Sequence, residues 1–367
     1  MKKYALNEIT LMQYILAIHG MQVGIGVFQL PRLLAEKAGT DGWISLFIGW
    51  LVALAVSLVI IRVMRYYPEG TLLELLSHHF GRWAGKLGAL VFCAYFFYFF
   101  FIVIVRAVLF LKLWILPQTP DAMIMVLILI PSYLIVPGGV RILGRYAELV
   151  FYMALWVPFF YLLPLSVSHH WLHLLPLLKE DWKTILETSL TTIVSFLGFE
   201  TAFFLYPFLQ QKQSASKGMI IANILTMMVY LGVTLVCFVF FSPDEITRYN
   251  EPTLSVLKVT ELRFVERMEI VFLAFYLFIL STTSMPMMYF TIFCSNWLFG
   301  TKAFRGHFLV LVAVVVAYVV FFVPTFPQSD KSQKIFGNIA LYLIVGFPFV
   351  LWFMLWIKTR SARRKLA

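Results

Sequence analysis

The segment SFLGFE, residues 195–200, places a glycine and a carboxylate in the middle of an apolar run that extends from 185 to 209. Glycine weakens a helix, and a charged side chain at mid-membrane depth costs at least about 2.5–3.5 kcal/mol on insertion scales. A residue such as Glu200 therefore usually faces the protein interior and takes part in function. The alternative is a neutral, hydrogen-bonded structural carboxyl. Either way, the segment predicts a helix that is interrupted at Gly198 inside a membrane.

The composition indicates a membrane protein. The chain has 367 residues, of which 61% are hydrophobic and only 13% are charged, whereas soluble domains carry about 25% charged residues. The net charge is +11, but the basic residues fall in short clusters between apolar runs, as membrane topology requires. We therefore expect membrane lipid, and no nucleic acid, as a partner. The three cysteines form neither a disulfide framework nor a zinc spacing, and no metal or cofactor is expected.

Ten apolar segments are long enough to cross a bilayer, since a spanning helix needs about 20 residues. They predict an all-α polytopic membrane protein. Two shorter amphipathic pieces predict surface helices at 71–80 and 252–265, the second capped by Thr253. The ten segments comprise residues 9–35, 43–66, 87–115, 122–140, 142–167, 185–209, 219–241, 271–299, 308–326 and 335–357.

Loop charges predict the orientation. Most of the Lys and Arg residues, including Lys2, Lys3 and the tail 359–367, fall on one side of the segments, and most of the acids fall on the other. By the positive-inside rule both termini are cytoplasmic.

The ten segments divide into two sets of five, and an odd number in each set predicts an inverted repeat. A second set of five would insert with the opposite orientation to the first, and in such repeats the first helix of each half is broken at mid-membrane. The chain meets this condition at 20–26 and at 197–200. We therefore predict a first repeat at 1–170, an extracytoplasmic connection at 171–184, a second repeat at 185–358 and a basic cytoplasmic tail at 359–367.

The first break predicts a site for a zwitterion. Three glycines in seven residues disfavour an ordinary helix, and unwinding frees backbone groups that need partners. A half-helix that begins near Gly26 offers amides to an anion, and the carbonyls before it suit an ammonium group. The alternative is close helix packing through Gly20 and Gly24. The predicted ligand-binding backbone comprises Met21, Gln22, Val23, Gly24, Gly26, Phe196, Leu197 and Gly198.

Side chains on two other segments are candidates for the walls of this site. Tyr95 and Phe99 lie four residues apart on one helix face. Four consecutive hydroxyls, Ser281, Thr282, Thr283 and Ser284, precede Pro286. Thr282 and Thr283 are the candidates for ligand contact, and Ser281 and Ser284 for a cation or ligand. The alternative is that these hydroxyls bond to their own helix and kink it.

Two further ionisable residues lie in the apolar segments. For Arg106 we favour snorkelling to the outer surface over pairing with Glu200. His19 adjoins the first break and is a further candidate member of the site. The sequence contains no phosphate-binding loop with lysine, no nucleophile elbow and no His-Glu-x-x-His motif, so an enzyme is not expected.

Several motifs resemble those of spore germination receptor B subunits. They are VGIGVFQLPR at 23–32, GWI at 42–44, GRW at 81–83, SFLGFE at 195–200 and VERME at 265–269, and the resemblance covers essentially the whole chain. That family is similar to the amino acid–polyamine–organocation permeases. The resemblance implies a LeuT-like 5+5 inverted repeat, an amino-acid-sized ligand at the breaks, and receptor A and C subunits as partners in the spore inner membrane. It implies ligand contacts at Gly24, Leu197, Gly198, Thr282 and Thr283.

The chain departs from these relatives in two places. Relatives can carry a glutamate just before the arginine of the third helix, where this chain has Ile104-Val105-Arg106. No lysine occurs between Lys112 and Lys179, although some proton-coupled permeases use one in the fifth helix.

The sequence thus predicts a germinant receptor subunit that binds a small nutrient at mid-membrane, with Glu200 as organiser of the break or as a proton or water site. The alternative is a free-standing amino acid permease, ion- or proton-coupled.

Overall fold

The computed structural model of the protein describes residue 4 and residues 7–259, 267–301 and 303–364. Throughout this part of the chain the regular secondary structure is helical and no strand occurs. One isolated parallel bridge joins Ile9 to Leu209, just before the first half-helix and just after the sixth span. The predicted all-α polytopic architecture is confirmed.

Seven helical stretches in the described residues are long and apolar enough to cross a membrane, or eight when one bent pair is counted as a span. Two of these stretches, Gly26–Met64 and 121–167, have 39 and 47 residues. At 1.5 Å per residue they would be about 58 and 70 Å long, whereas the bilayer core is about 30 Å thick. Short 3₁₀ turns at Gly39–Asp41 and Val136–Gly138 divide them.

With these divisions the described residues contain ten spans, numbered here in chain order. Spans 1 and 6 are each broken into two half-helices: 1a (Leu11–Gln22) and 1b (Gly26–Ala38), then 6a (Trp182–Ser195) and 6b (Phe199–Phe208). The other spans are span 2 (Gly42–Met64), span 3 (Arg82–Trp114), span 4 (Asp121–Ile135), span 5 (139–167, with turns after Ala154 and Phe160), span 7 (Ala215–Phe240), span 8 (Met268–Phe299), span 9 (Phe304–Phe321) and span 10 (Phe326–Arg360).

The break in span 1 is shorter than the glycine cluster. Half-helix 1a starts with a capping box in which Thr10 and Gln13 exchange hydrogen bonds, and it runs through Gly20 to Gln22. Val23 then leaves the helical conformation with ψ 69°, and 1b begins at Gly26. The predicted interruption is confirmed, and it comprises residues 23–25.

The break in span 6 falls at residues 196–198. Asp181 caps the start of 6a by accepting a hydrogen bond from the Thr184 amide at 3.2 Å. Gly198 has φ +126°, a conformation that residues with a Cβ rarely adopt. The two half-helices are bent by 53°.

The two breaks pack directly on each other. A Cβ added at Gly198 would lie 2.7 Å from the carbonyl carbon of Met21 and 2.9 Å from the amide nitrogen of Gln22. Only a glycine permits this approach of one backbone to another. The contact brings the end of 1a against the middle of span 6.

Of the two predicted surface helices, the first is present as expected and the second is shorter in the described residues. The first occupies Leu72–Phe80 and starts with a capping box between Thr71 and Glu74. The second is a helix only at Pro252–Leu257, and residues 260–265 of the predicted piece lie outside the described residues. The prediction that Thr253 caps it is wrong, because Glu251 holds the cap position and Thr253 Oγ1 donates to the Val27 carbonyl at 2.8 Å.

The snorkelling prediction for Arg106 is also wrong, and so is the alternative of a pair with Glu200. The Arg106 side chain is 1% exposed, pairs with Glu251, and its Nη1 lies 2.7 Å from Asp330 Oδ1. Gln29 on 1b donates to the same Asp330 oxygen at 2.9 Å. A buried arginine needs such partners. They could not be recognised from the sequence because they lie 145 and 224 residues away along the chain.

This charged cluster ties together four elements. Arg106 belongs to span 3, Gln29 to half-helix 1b, Asp330 to span 10, and Glu251 precedes the helix Pro252–Leu257. The guanidinium also lies over the rings of Phe110 and Phe326, at 5.2 and 4.8 Å from their centroids. The cluster therefore fixes half-helix 1b relative to spans 3 and 10.

Gly198→Ala should lower the free energy of unfolding in detergent micelles by at least about 2 kcal/mol, because the new Cβ meets backbone and φ is strained. The matched control is Gly232→Ala in span 7, where a Cβ meets nothing within 4 Å. That control should be neutral or stabilising by up to about 1 kcal/mol. Equal unfolding curves for the two variants would contradict the close contact.

Arg106→Met should lower the free energy of unfolding by about 3–5 kcal/mol, because it leaves the Glu251 carboxylate buried without a cation. The double variant Arg106→Met/Glu251→Gln should recover most of this loss. The control is Lys183→Met, since the Lys183–Glu187 pair is exposed and should contribute less than about 1 kcal/mol. A single Arg106 variant that is no less stable than the control would refute the buried pairing.

Candidate functional site

The side chain of Gln22, at the end of 1a, joins three spans. Its Nε2 donates to the Phe196 carbonyl at 3.0 Å and to Asn223 Oδ1 at 3.1 Å. Its Oε1 accepts from Thr226 Oγ1 at 2.9 Å, and the same hydroxyl lies 2.9 Å from Nδ1 of His19. Gln22 is 2% exposed, so these bonds hold spans 1, 6 and 7 together in a buried polar network.

Tyr230 on span 7 lies between the two breaks. Its hydroxyl is 2.9 Å from both the Gln22 carbonyl and the Ser195 carbonyl, the last residues of 1a and 6a. A Cβ at Gly26 would lie 3.1 Å from that hydroxyl. Tyr230, Asn223 and Thr226 were not predicted as site residues. Their only signal was that they are polar residues within an apolar span.

Span 8 provides partners for the carbonyls of the first break. Thr283 donates to the Gly20 carbonyl at 3.0 Å, and Tyr276 donates to the Gly24 carbonyl at 2.6 Å. The Thr282 hydroxyl lies 3.1 Å from the Gly20 carbonyl and 2.6 Å from the Ile279 carbonyl of its own helix. The structure thus brings the predicted threonine pair to the first break. A Cβ at Gly20 would come within 2.6 Å of Thr282 Oγ1, which makes Gly20 a close-packing glycine.

The two serines of the hydroxyl run lie differently. Ser281 Oγ donates to the Phe278 carbonyl of its own helix and is 2.6 Å from the Tyr146 hydroxyl of span 5. Ser281 therefore faces span 5. Ser284 is buried in span 8 beside the threonine pair.

Glu200 binds the backbone of its own break. Its Oε2 accepts from the Gly198 amide at 2.6 Å and its Oε1 from the Tyr95 hydroxyl at 2.8 Å. Thr201 Oγ1 donates to the Gly198 carbonyl at 2.6 Å. The carboxyl is fully buried, and these bonds fix the conformation of Gly198 and connect span 6 to span 3.

The other predicted wall residues are packed against protein. The ring of Tyr95 stacks on Phe336 of span 10 with centroids 5.1 Å apart, and Phe99 lies 4.9 Å from the same ring. Phe196 packs edge-on against Tyr230 at 5.4 Å, and Leu197 is 3% exposed. Around these side chains span 3 is thus in close contact with span 10, and the span 6 break with span 7.

A cavity of about 90 Å³ lies against the first break, lined by spans 1, 5, 7 and 8. Of the predicted ligand contacts, Val23 and Thr282 line it, and so does His19. Tyr95, Phe99 and the span 6 residues are not among its described lining. No sequence pattern marked the walls from spans 5 and 7, because most of these are ordinary aliphatic positions.

The fold is similar to that of a solved amino acid complex. The crystal structure of MhsT in complex with L-phenylalanine aligns with a TM-score of 0.68, covering 91% of this chain and 87% of MhsT at 12% sequence identity. At this identity the likeness shows the fold alone. It confirms the predicted LeuT-like inverted-repeat architecture with its first and sixth helices broken.

Three relatives by sequence are all named as spore germination proteins. Spore germination protein GerQB of Bacillus cereus is 24% identical over 94% of both chains. In Bacillus subtilis (strain 168), spore germination protein B2 is 24% identical over 98% of both chains, and spore germination protein A2 is 26% identical over 95% of both.

The sequence model of the family described as "Spore germination protein", the spore permease family, matches residues 8–330. This range contains both breaks, the Gln22 network, Tyr230, the threonine pair and the Arg106 cluster. The resemblance of the motifs to this family is therefore confirmed. The chain belongs to the spore germination protein family.

Proposed function

We propose that this chain is a germinant receptor subunit that binds a small nutrient, an amino acid, between the two helix breaks and so triggers spore germination. One observation carries the proposal. The carbonyls freed at both breaks face each other and accept hydrogen bonds from side chains of spans 7 and 8, above all from Tyr230. Such bonds can be exchanged for bonds to a ligand without breaking a helix.

The charged ends of an amino acid fit this arrangement. Its ammonium group would bind the carbonyls of Gly20, Gln22 and Gly24 in place of hydroxyl donors, which are weaker partners than a cation. Its carboxylate would bind the start of 1b. There the cap residue Ile25 makes no side-chain hydrogen bond to the helix, and the helix dipole favours an anion. The MhsT complex with L-phenylalanine supports an amino acid, since a protein with a similar fold holds one.

Binding would act through the relative position of spans 1 and 6. A ligand shifts an equilibrium only if it binds one arrangement more tightly than the other. Replacing the Tyr230 bonds would release Gln22 from Ser195 and loosen the contact of Gly198 with Met21. Glu200 keeps the span 6 break formed during this change, and a proton or water site remains its second proposed role.

The predicted partner subunits, membrane and repeat boundaries are also part of the proposal. The partners are the receptor A and C subunits, supported by relatives named as spore germination proteins. The membrane is the spore inner membrane, with both termini on the spore-core side. The repeats are 1–170 and 185–358, joined by 171–184 and followed by the tail 359–367, with helix continuing to Arg364.

Tyr230→Phe tests the exchange of hydrogen bonds. Removing the hydroxyl takes away a protein competitor for the carbonyls, and one such bond contributes about 1 kcal/mol. The half-maximal nutrient concentration for germination should therefore fall about fivefold, measured on spores with single amino acids. The control is Tyr133→Phe on span 4, where the side chain is exposed.

An unchanged dose-response in Tyr230→Phe, or the same shift in the control, would contradict binding at the breaks. Uptake of a labelled amino acid by vesicles that contain this chain alone would instead favour the free-standing permease. We expect no uptake.

A further inference from the structure

The cavity of about 90 Å³ touches the first break at Gly20, one of the three residues whose carbonyls are proposed to hold the nutrient's ammonium group. Gly20, Val23 and Thr282 line it, and Gly20 and Thr282 are joined by the 3.1 Å hydrogen bond at the carbonyl of Gly20. A ligand bound at this carbonyl therefore has the cavity directly beside it.

The cavity walls are chemically apolar. No charged residue occurs among the described residues that line it. Three of its polar side chains already have protein partners: His19 with Thr226, Tyr276 with the Gly24 carbonyl, and Thr282 with the Gly20 carbonyl. A charge placed there would be buried without a counter-charge, which is strongly unfavourable. The cavity therefore suits an uncharged group.

The size of the cavity limits that group. A volume of about 90 Å³ holds several groups of the size of water. Its lining on spans 5 and 7 includes the small side chains Ala147, Val150, Ala154 and Val233 beside bulkier ones such as Phe151. Interiors are closely packed, so one added or removed methyl group at a small wall residue changes what fits.

We propose that this cavity receives the nutrient's side chain and restricts it to small, uncharged aliphatic groups, with Ala154 and Val233 as specificity-determining residues. The proposal rests on the proposed function, since the charged ends of the same molecule stay at the break. It places the side chain between spans 1, 5, 7 and 8, away from Tyr95 and Phe99.

One further wall group adds a testable detail. Tyr161 on span 5 lines the cavity, is 3% exposed, and its hydroxyl has no partner among the described residues. An unpaired buried hydroxyl is unfavourable. We therefore expect a small side chain with a hydroxyl to fit beside Tyr161 as well as an aliphatic one does, whereas a charged side chain should not.

The test compares two variants of span 7 in the purified full chain. Val233 and Val236 are both 4% exposed, but only Val233 lines the cavity. Thermal stabilisation by glycine, L-alanine, L-valine, L-leucine and L-phenylalanine gives an apparent affinity for each. In Val233→Ala the affinity ratio of L-leucine to L-alanine should rise about tenfold, the usual effect of a methylene-sized change. In Val236→Ala it should stay unchanged.

A variant that fills the cavity gives the opposite result. Ala154→Leu should weaken L-valine and L-leucine about tenfold or more while it leaves glycine binding within about twofold. This variant also tests the proposal if Val233→Ala does not fold.

Three outcomes would overturn the proposal. Unchanged ratios in both cavity variants would mean that the side chain lies elsewhere, while binding at the breaks would stand as long as one amino acid binds. Stabilisation by decanoate that Ala154→Leu abolishes, with amino acids unaffected, would make the cavity a lipid-tail site, entered past the exposed Leu155. Failure of every amino acid to bind the wild type, with no Tyr230→Phe effect, would overturn the proposed function as well.

Discussion

The structure depends on how it satisfies the backbone groups that two helix breaks expose inside a membrane. Each unpaired carbonyl or amide in hydrocarbon costs several kcal/mol, so breaks occur only where protein or ligand supplies partners. Here the partners are side chains: Tyr230 bonds to Gln22 and Ser195, the threonine pair and Tyr276 bond to the glycine carbonyls, and Glu200 binds the Gly198 amide. This requirement explains why these otherwise apolar spans carry buried polar residues.

The same requirement connects the breaks to the rest of the molecule. Glu200 reaches span 3 through Tyr95, and Gln22 reaches span 7 through Asn223 and Thr226. The Arg106 cluster holds the far half of span 1 against spans 3 and 10. A displacement of the breaks relative to each other would therefore move spans 3, 7 and 10. In the proposed receptor, partner subunits would detect a bound nutrient through these elements.

Local signals in the sequence predicted the fold, and long-range contacts limited the prediction of the site. A glycine two residues before a carboxylate, or three glycines in seven residues, marks a break without knowledge of any neighbour, and both observed breaks overlap the predicted ranges. Helix rotation and tilt are set by packing. For that reason the sequence could not reveal that Arg106 is buried with Glu251 and Asp330. Nor could it reveal the position of Tyr230, or that Tyr95 and Phe99 pack on Phe336. The cavity walls from spans 5 and 7 consist of aliphatic residues that no pattern distinguishes.

Binding of the nutrient between the two breaks is the proposal on which the others depend, and a cryo-EM structure of the chain with an amino acid nutrient would locate the ligand. We expect ligand density between the two breaks, with the ammonium group within hydrogen-bond distance of the carbonyls of Gly20, Gln22 or Gly24. We also expect the carboxylate at the start of half-helix 1b. Density for the nutrient at the Arg106 cluster, or anywhere away from both breaks, would contradict the proposal.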